Sequence, residues 1–327
     1  QLSDVITYEF EHINADLLAL LEREGHKIYP SAKTLRIIQN KYDQKRLLRE
    51  IGINTPNFYY LDDLEKSIEF LKGLGGKAVL KTCQNGYDGK GNVVVNNTQE
   101  LKAVFQQFAG SPLMMEEYIN YKKELSILVA RNQDGYEFYP VSENIHKDSI
   151  LIQSLVPAPI PNDVHEQIVQ ISRKIVDAFD DYGLFCIEYF LDEQSNILVN
   201  EIAPRPHTSG HYSIEGCICS QFEQLVRIIC GLPLGSSKLR APCVMQNILG
   251  EKNLDGNYCV LGVEALLKQS DCHLHLYGKA ETKYLKKIGH ITAIDNTLES
   301  AQRKIQVALG ILRIEGSSNF PAKKAKE

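Results

Sequence analysis

Residues 184–211 read LFCIEYFLDEQSNILVNEIAPRPHTSGH. Two apolar-rich runs, 184–192 and 197–203, flank Glu193, Gln194, Ser195 and Asn196, a polar cluster suited to a four-residue hairpin connection. Pairing Asp192 with Ile197 sets Leu191 against Leu198 and Glu188 against Glu201. Like charges so placed, with Cβ atoms about 5 Å apart, repel. The pair therefore retains a proton or holds a cation. Oxygen ligands with Asn200 alongside suit magnesium, which takes one or two carboxylates and completes its shell with water and substrate phosphates. The pair alone leaves a second reading open, an exposed hairpin with two solvated glutamates.

The next residues favour the first reading. Pro204 and Pro206 bracket Arg205 and fix the backbone, aiming a bidentate anion binder beside the metal site. A metal beside a rigid arginine points to phosphate chemistry. His207 and His211 are four apart, but Thr208, Ser209 and Gly210 lie between them and no glutamate follows His207, so a zinc-protease helix is not expected.

A chain of 327 residues, 43% hydrophobic and 24% charged, is long enough for two or three packed units. Its net charge of −5, with lysine and arginine scattered, gives no electrostatic footprint for nucleic acid. No apolar run reaches the ~20 residues of a membrane span, and no signal peptide is evident. The eight cysteines show no Cys-x-x-Cys pair and sit mostly in apolar runs, as reduced thiols of a cytoplasmic protein would. The chain lacks an initiator methionine and opens close to a strand, the expectation for a piece of a longer protein.

In chain order, Val5–Phe10 reads as a strand and Asn14–Glu24 as an amphipathic helix with Leu17, Leu18 and Leu21 on one face. Ser31–Glu50 is a second helical region whose Lys41, Lys45 and Arg46 read, without other information, as a wet face. Residues 77–95 give a strand, a glycine-rich turn and another strand. Gly86, Gly89 and Gly91 let backbone approach a ligand, and Lys81 and Lys90 flank the turn with positive charge. The turn reads as a triphosphate lid, with a plain hairpin as the alternative; it is neither a Walker A loop nor a dinucleotide fingerprint. Residues 113–131 carry Glu116, Glu117 and Glu124 along a strand edge and a connector of the kind that can meet a nucleotide base and ribose; taken alone, these glutamates read as surface charge. A core stripe, Val164, Ile168, Ile171, Ile175 and Phe179, follows Asn162 as its cap, and Ser220 with Glu223 opens another helix. From about Pro242 to Ile314 the chain reads as strands, and His273 and His275 as ordinary strand histidines.

These pieces resemble the ATP-grasp superfamily and, within it, the 5-(carboxyamino)imidazole ribonucleotide synthases of purine biosynthesis. The motifs are VITYEFEH, NKYDQKRLL, NGYDGKGN, EEYINYKKELS, NEIAPRPHTSGHYSIEGC with SQFEQ, and YGKAETKYLKKIGHIT. The resemblance implies an α+β, α/β architecture. A Rossmann-like N-terminal unit, incomplete here, would cover residues 1–33 and an ATP-grasp domain 34–240, its smaller lobe about 75–118. A small β-rich C-terminal domain would cover 241–316, and a tail 317–327.

It implies a magnesium-dependent reaction of ATP, bicarbonate and 5-aminoimidazole ribonucleotide through carboxyphosphate, in a homodimer. The alternatives are another ATP-grasp ligase, either the formate-using glycinamide ribonucleotide transformylase or a biotin carboxylase-like enzyme, and a non-catalytic ATP-binding module. The family's ATP contacts fall on Lys41, Lys81, the loop with Gly86, Gly89 and Gly91, the hinge Glu116, Glu117, Tyr118 and Ile119, and on Glu124, His146, Asn200 and Glu201. Glu188 and Glu201 take the metal. Substrate and carboxyl-transfer positions fall on Asp88, Lys90, Arg205, His207, Lys279 and Lys286, with Glu9, Tyr87 and Thr208 binding substrate. Asp88 is the residue expected to orient or deprotonate the amine, and Arg205, Lys279 and Lys286 to grip phosphate or bicarbonate. Asn85, Cys83, Asn92, Thr208 and Lys286 depart from the family's usual residues. Lys286 keeps a charge where arginine is usual but loses the planar fork.

Overall fold

The computed structural model describes residues 3–84, 86, 91–108 and 110–316. At the N-terminus the strands Val5–Ile6 and Lys27–Ile28 pair in parallel, with the helix Ala15–Arg23 between them in sequence. Asn14 caps that helix by accepting from the backbone amides of Asp16 and Leu17. Leu18 is buried, whereas Leu17, expected beside it, points outward at 53% exposure.

The helical region 31–50 is two helices, Ala32–Gln39 and Lys41–Glu50. Asn40 separates them: its backbone is extended (φ −98°, ψ 104°) and its side chain accepts from the amides of Tyr42 and Asp43. The new helix therefore begins at Lys41. Lys45 follows one turn later on the same face.

A four-stranded sheet is ordered Phe58–Tyr60, Leu113–Glu117, Ala78–Thr82, Asn92–Val95, all antiparallel. Helices Leu64–Gly73 and Thr98–Gln107 cover one face, over a core that includes Leu71, Leu80, Leu101 and Met115. Strand alternation sends Val79, Lys81 and Glu116 to the other face.

The nine-stranded sheet runs Ile197–Ala203, Gly183–Asp192, Tyr121–Asn132, Ser142–Lys147, Ile150–Val156, Cys243–Leu249, Lys287–Ile294, Cys272–Leu276, with Gly135–Phe138 pairing beside Tyr121–Asn132. The helix Asn162–Phe179 packs over Phe185, Ile187 and Tyr189. On the opposite face the helix Gln221–Ile229 covers Leu184 and Cys186. Glu188 continues that second face where the cover ends.

Two expectations for the C-terminal region are corrected. It is not all strand, because Leu298–Ile311 is a helix capped by Thr297, with Ala301, Ile305 and Ala308 buried against the strands Cys243–Leu249 and Lys287–Ile294. The run CVLGVEALL is half strand (Gly256–Leu261) and half helix (Val263–Leu266). Gly262 makes the switch at φ +84°, where a Cβ would meet the Ile311 carbonyl oxygen at 2.2 Å. The helix Asn162–Phe179 also starts without a side-chain cap, Pro161 holding the position instead of Asn162. No helix among the described residues is long and apolar enough to cross a membrane.

Candidate active site

The two sheets and the N-terminal segment enclose a cleft of about 980 Å³. The ribbon 183–203 supplies its floor, with a register one residue from the expected one near the turn. Leu191 pairs with Ile197, Phe190 with Leu198 and Tyr189 with Val199. The reason is Asp192. Its backbone amide donates to the Asn196 carbonyl, and its carboxylate accepts from the amides of Gln194 and Asn196, so the loop closes between 192 and 196 with Ser195 at φ +66°.

A bulge at Asn200 then restores Glu188 opposite Glu201. In a regular strand residues 200 and 201 would face opposite sides. With the extra residue both Asn200 and Glu201 line the cleft, together with Glu188.

The helix start at Lys41 brings its ammonium onto Glu201 in an ion pair. One turn further, Lys45 lies 3.2 Å from Glu116, whose other oxygen takes Lys81 at 2.5 Å. Lys45 also donates to the Val199 carbonyl and to Thr55. Burial pulls the Glu116 carboxyl upward, but Lys45 and Lys81 reverse it and hold it down at about 2. Burial likewise lowers Lys45, which Glu116 only partly offsets, leaving it at about 8. For Lys41 the balance tips the other way: burial opposes its charge, and Glu201 with Glu11 and Glu116 outweighs it and raises the ammonium. Glu201 is correspondingly lowered against burial by Lys41, Lys81 and Lys45.

Among the described residues Glu188 pairs with no lysine; His207 Nδ1 lies 3.8 Å from it. Burial, then the charges of Glu124 and Glu201, push its carboxyl up to about 7. His146 lies 2.7 Å from Glu124 and is raised by that bond despite burial. His207 is held well below its ordinary value, first by burial and then by Arg205 and Lys287. It stays a neutral ring bonded to Ser209 at 2.8 Å. Arg205 reaches Glu11 at 3.2 Å.

Of the residues singled out in the sequence, the structure gathers along this cleft Glu9, Lys41, Lys81, Gly86, Glu116, Glu117, Tyr118, Ile119, Glu124, His146, Glu188, Asn200, Glu201, Arg205, His207, Thr208 and Lys279. Tyr87, Asp88, Gly89 and Lys90 lie outside the described residues. Two do not line it. Lys286 donates instead to the Glu281 carbonyl at 2.7 Å while its neighbour Lys287 lines the cleft, and Gly91 packs on Thr82. His211, Tyr277 and Lys287 line it without having been read as site residues, and Lys45, read as a wet face, is 2% exposed.

Gly210 shows how tightly the turn after the ribbon is built. A Cβ there would lie 2.4 Å from Leu128 Cδ1 and 2.6 Å from the Gln221 side-chain oxygen. We expect Gly210→Ala to cost about 1–3 kcal/mol by overpacking, read as a lowered denaturation midpoint. An unchanged midpoint would show that the Gln221 amide has room to move.

Two layers clamping a cleft, with Lys81 on the smaller sheet facing acids on the larger, define an ATP-grasp protein. An ATP-grasp domain model matches residues 46–222, and a model of the phosphoribosylaminoimidazole carboxylase C-terminal domain matches 243–304. The N5-carboxyaminoimidazole ribonucleotide synthase of Brucella melitensis is 38% identical over 298 residues, 89% of this chain and 79% of that protein. That of Bacillus subtilis is 37% identical over 297, covering 89% and 75%. The crystal structure of the Thermotoga maritima synthetase superposes with a TM-score of 0.85 at 40% identity, over 96% of this chain and 82% of that one. The Aspergillus clavatus enzyme, solved with ADP and 5-aminoimidazole ribonucleotide, gives 0.85 at 33%, over 94% and 81%. The chain belongs to the N5-carboxyaminoimidazole ribonucleotide synthase family.

Proposed function

We propose that this chain carboxylates 5-aminoimidazole ribonucleotide on its exocyclic amine in purine biosynthesis, using ATP and bicarbonate with magnesium, as an ATP-dependent carbon–nitrogen ligase in the cytoplasm and as a homodimer. The observation that carries the reading is the bulged ribbon. It turns Glu188, Asn200 and Glu201 together into a cleft that Lys81 lines from the smaller sheet and Lys41 from the start of the helix Lys41–Glu50.

The donor set fits a hard cation. Glu188 and Glu201 are oxygen ligands facing one another, and the raised proton affinity of Glu188 marks a place short of positive charge. Bound there, magnesium would neutralise charge on the phosphates being transferred. Lys41 and Lys81 would take the triphosphate, and Glu116–Ile119 with Glu124 the base and ribose. Bicarbonate attacking the γ-phosphate gives carboxyphosphate and ADP. Arg205 and His207 lie at the end of the ribbon where that anhydride would be held away from water. Asp88 and Lys90 of the glycine-rich loop are assigned to the amine and carboxyl groups by family resemblance alone, and Tyr87, Glu9 and Lys279 to the ribonucleotide; Lys286, bonded to the Glu281 carbonyl outside the cleft, is left out.

The test is ADP release with each substrate omitted in turn. Release that requires both bicarbonate and aminoimidazole ribonucleotide supports the reading. Release with formate or biotin in their place, or ATP binding without turnover, would overturn it.

A further inference from the structure

His211 is absent from the roles assigned above, and its surroundings fix its proton. Gln221 is fully buried at the start of the helix Gln221–Ile229, and its amide meets three groups. Its oxygen accepts from the backbone amide of His207 at 2.9 Å. Its nitrogen donates to the carbonyl of the same residue at 2.9 Å and meets His211 Nδ1 at 3.0 Å. A backbone N–H can only donate and a carbonyl can only accept, so the amide has one permitted orientation. The group facing His211 Nδ1 is then NH₂, and Nδ1 must be the lone-pair nitrogen.

The proton therefore sits on Nε2. Burial first, then the charges of Lys287 and His275, lower the ring to about 4, so it is neutral near pH 7. With Nδ1 committed to a buried amide, Nε2–H is the edge His211 has left for the cleft it lines beside Tyr277, Lys279 and Lys287. Tyr277 stands edge-on to the ring, with centroids 6.3 Å apart. A neutral N–H at the lysine-lined end of a cleft suits an oxyanion: it adds a directed bond without further like-charge repulsion between cations.

We propose that Gln221 locks His211 as its neutral Nε2–H tautomer, and that this N–H donates to the phosphate of the bound ribonucleotide. The assignment of the ligand rests on the function proposed above; the tautomer does not.

Two measurements test it. In ¹⁵N-histidine-labelled protein without ligands, His211 should show an unprotonated Nδ1 and a protonated Nε2. Gln221→Glu should draw a proton onto Nδ1. An Nδ1–H tautomer in the unsubstituted protein overturns the lock. In steady-state assays His211→Asn, with an unchanged denaturation midpoint, should raise KM for the ribonucleotide about 10- to 100-fold and leave KM for ATP alone. A rise in the KM for bicarbonate only, or no rise, overturns the phosphate contact. Unsubstituted protein that does not turn over the ribonucleotide at all removes the proposed function, and with it the ligand, while the ¹⁵N result still decides the tautomer.

Discussion

Glu201→Gln and Glu188→Gln are both expected to lower magnesium-dependent ADP formation by about 10²–10³-fold, and to move stability in opposite directions. The two carboxylates face each other on one side of one ribbon, yet their surroundings differ. Glu201 is ion-paired with Lys41, which is only 12% exposed, so removing its charge leaves a partly buried ammonium without its carboxylate. A loss of about 1–2 kcal/mol follows, discounted because the Glu201 side chain is 36% exposed.

Glu188 has the reverse character. A carboxyl raised from 4.5 to about 7 in the fold contributes stability that is fully present below about pH 4.5 and is lost as pH rises through 7. At pH 8 the ligand-free chain therefore carries a cost of about 3 kcal/mol that Glu188→Gln removes. The gain should shrink as pH is lowered toward 4.5. Magnesium should raise the melting temperature of the unsubstituted protein at pH 8, and should do so less in either variant. Guanidinium titrations at pH 5 and 8 check the pair. Equal destabilisation by both substitutions would mean that Glu188, like Glu201, is already paired with a positive group of the fold, and that no added cation is called for between the arms.

The ribbon was legible because alternation of apolar and polar residues is local, and it reported that residues 188 and 201 share a face. The bulge that brings them opposite was not legible. It depends on the carboxylate of Asp192 closing the loop one residue early, a hydrogen-bond choice that hydrophobic pattern does not encode. Lys45 was misread for a related reason. Nothing within Lys41–Glu50 distinguishes a wet lysine from a buried one, because its partners Glu116 and Val199 come from strands about 70 and 150 residues further along. Gln221 was hidden in the same way, within a capping run whose Ser220 signal was sound. The helix Leu298–Ile311 did carry a signal, Thr297 before apolar positions at 301, 305 and 308, but a region dense in strands outweighed it.

Glu116→Gln is expected to be the most destabilising single change in the cleft, at about 3–5 kcal/mol. Its carboxylate is 2% exposed and lies between two ammonium groups, Lys45 at 2% and Lys81 at 9%. Neutralising it leaves both cations buried and facing each other without a counter-charge. Lys45→Met should cost less, since Glu116 then keeps Lys81 and the lost bonds to Thr55 and Val199 release acceptors rather than a charge. The double variant is the informative one. With Lys45 already absent, only one ammonium remains to be stranded, so Glu116→Gln should cost about 1–3 kcal/mol less than it does alone. Urea denaturation of the four proteins gives that coupling directly. Strict additivity would show that Lys45 and Glu116 act separately. A positive coupling would mean that the helix Lys41–Glu50 is tied electrostatically to the strand Leu113–Glu117, so that the wall presenting Lys81 and the wall presenting Glu201 are held in one frame before any nucleotide arrives.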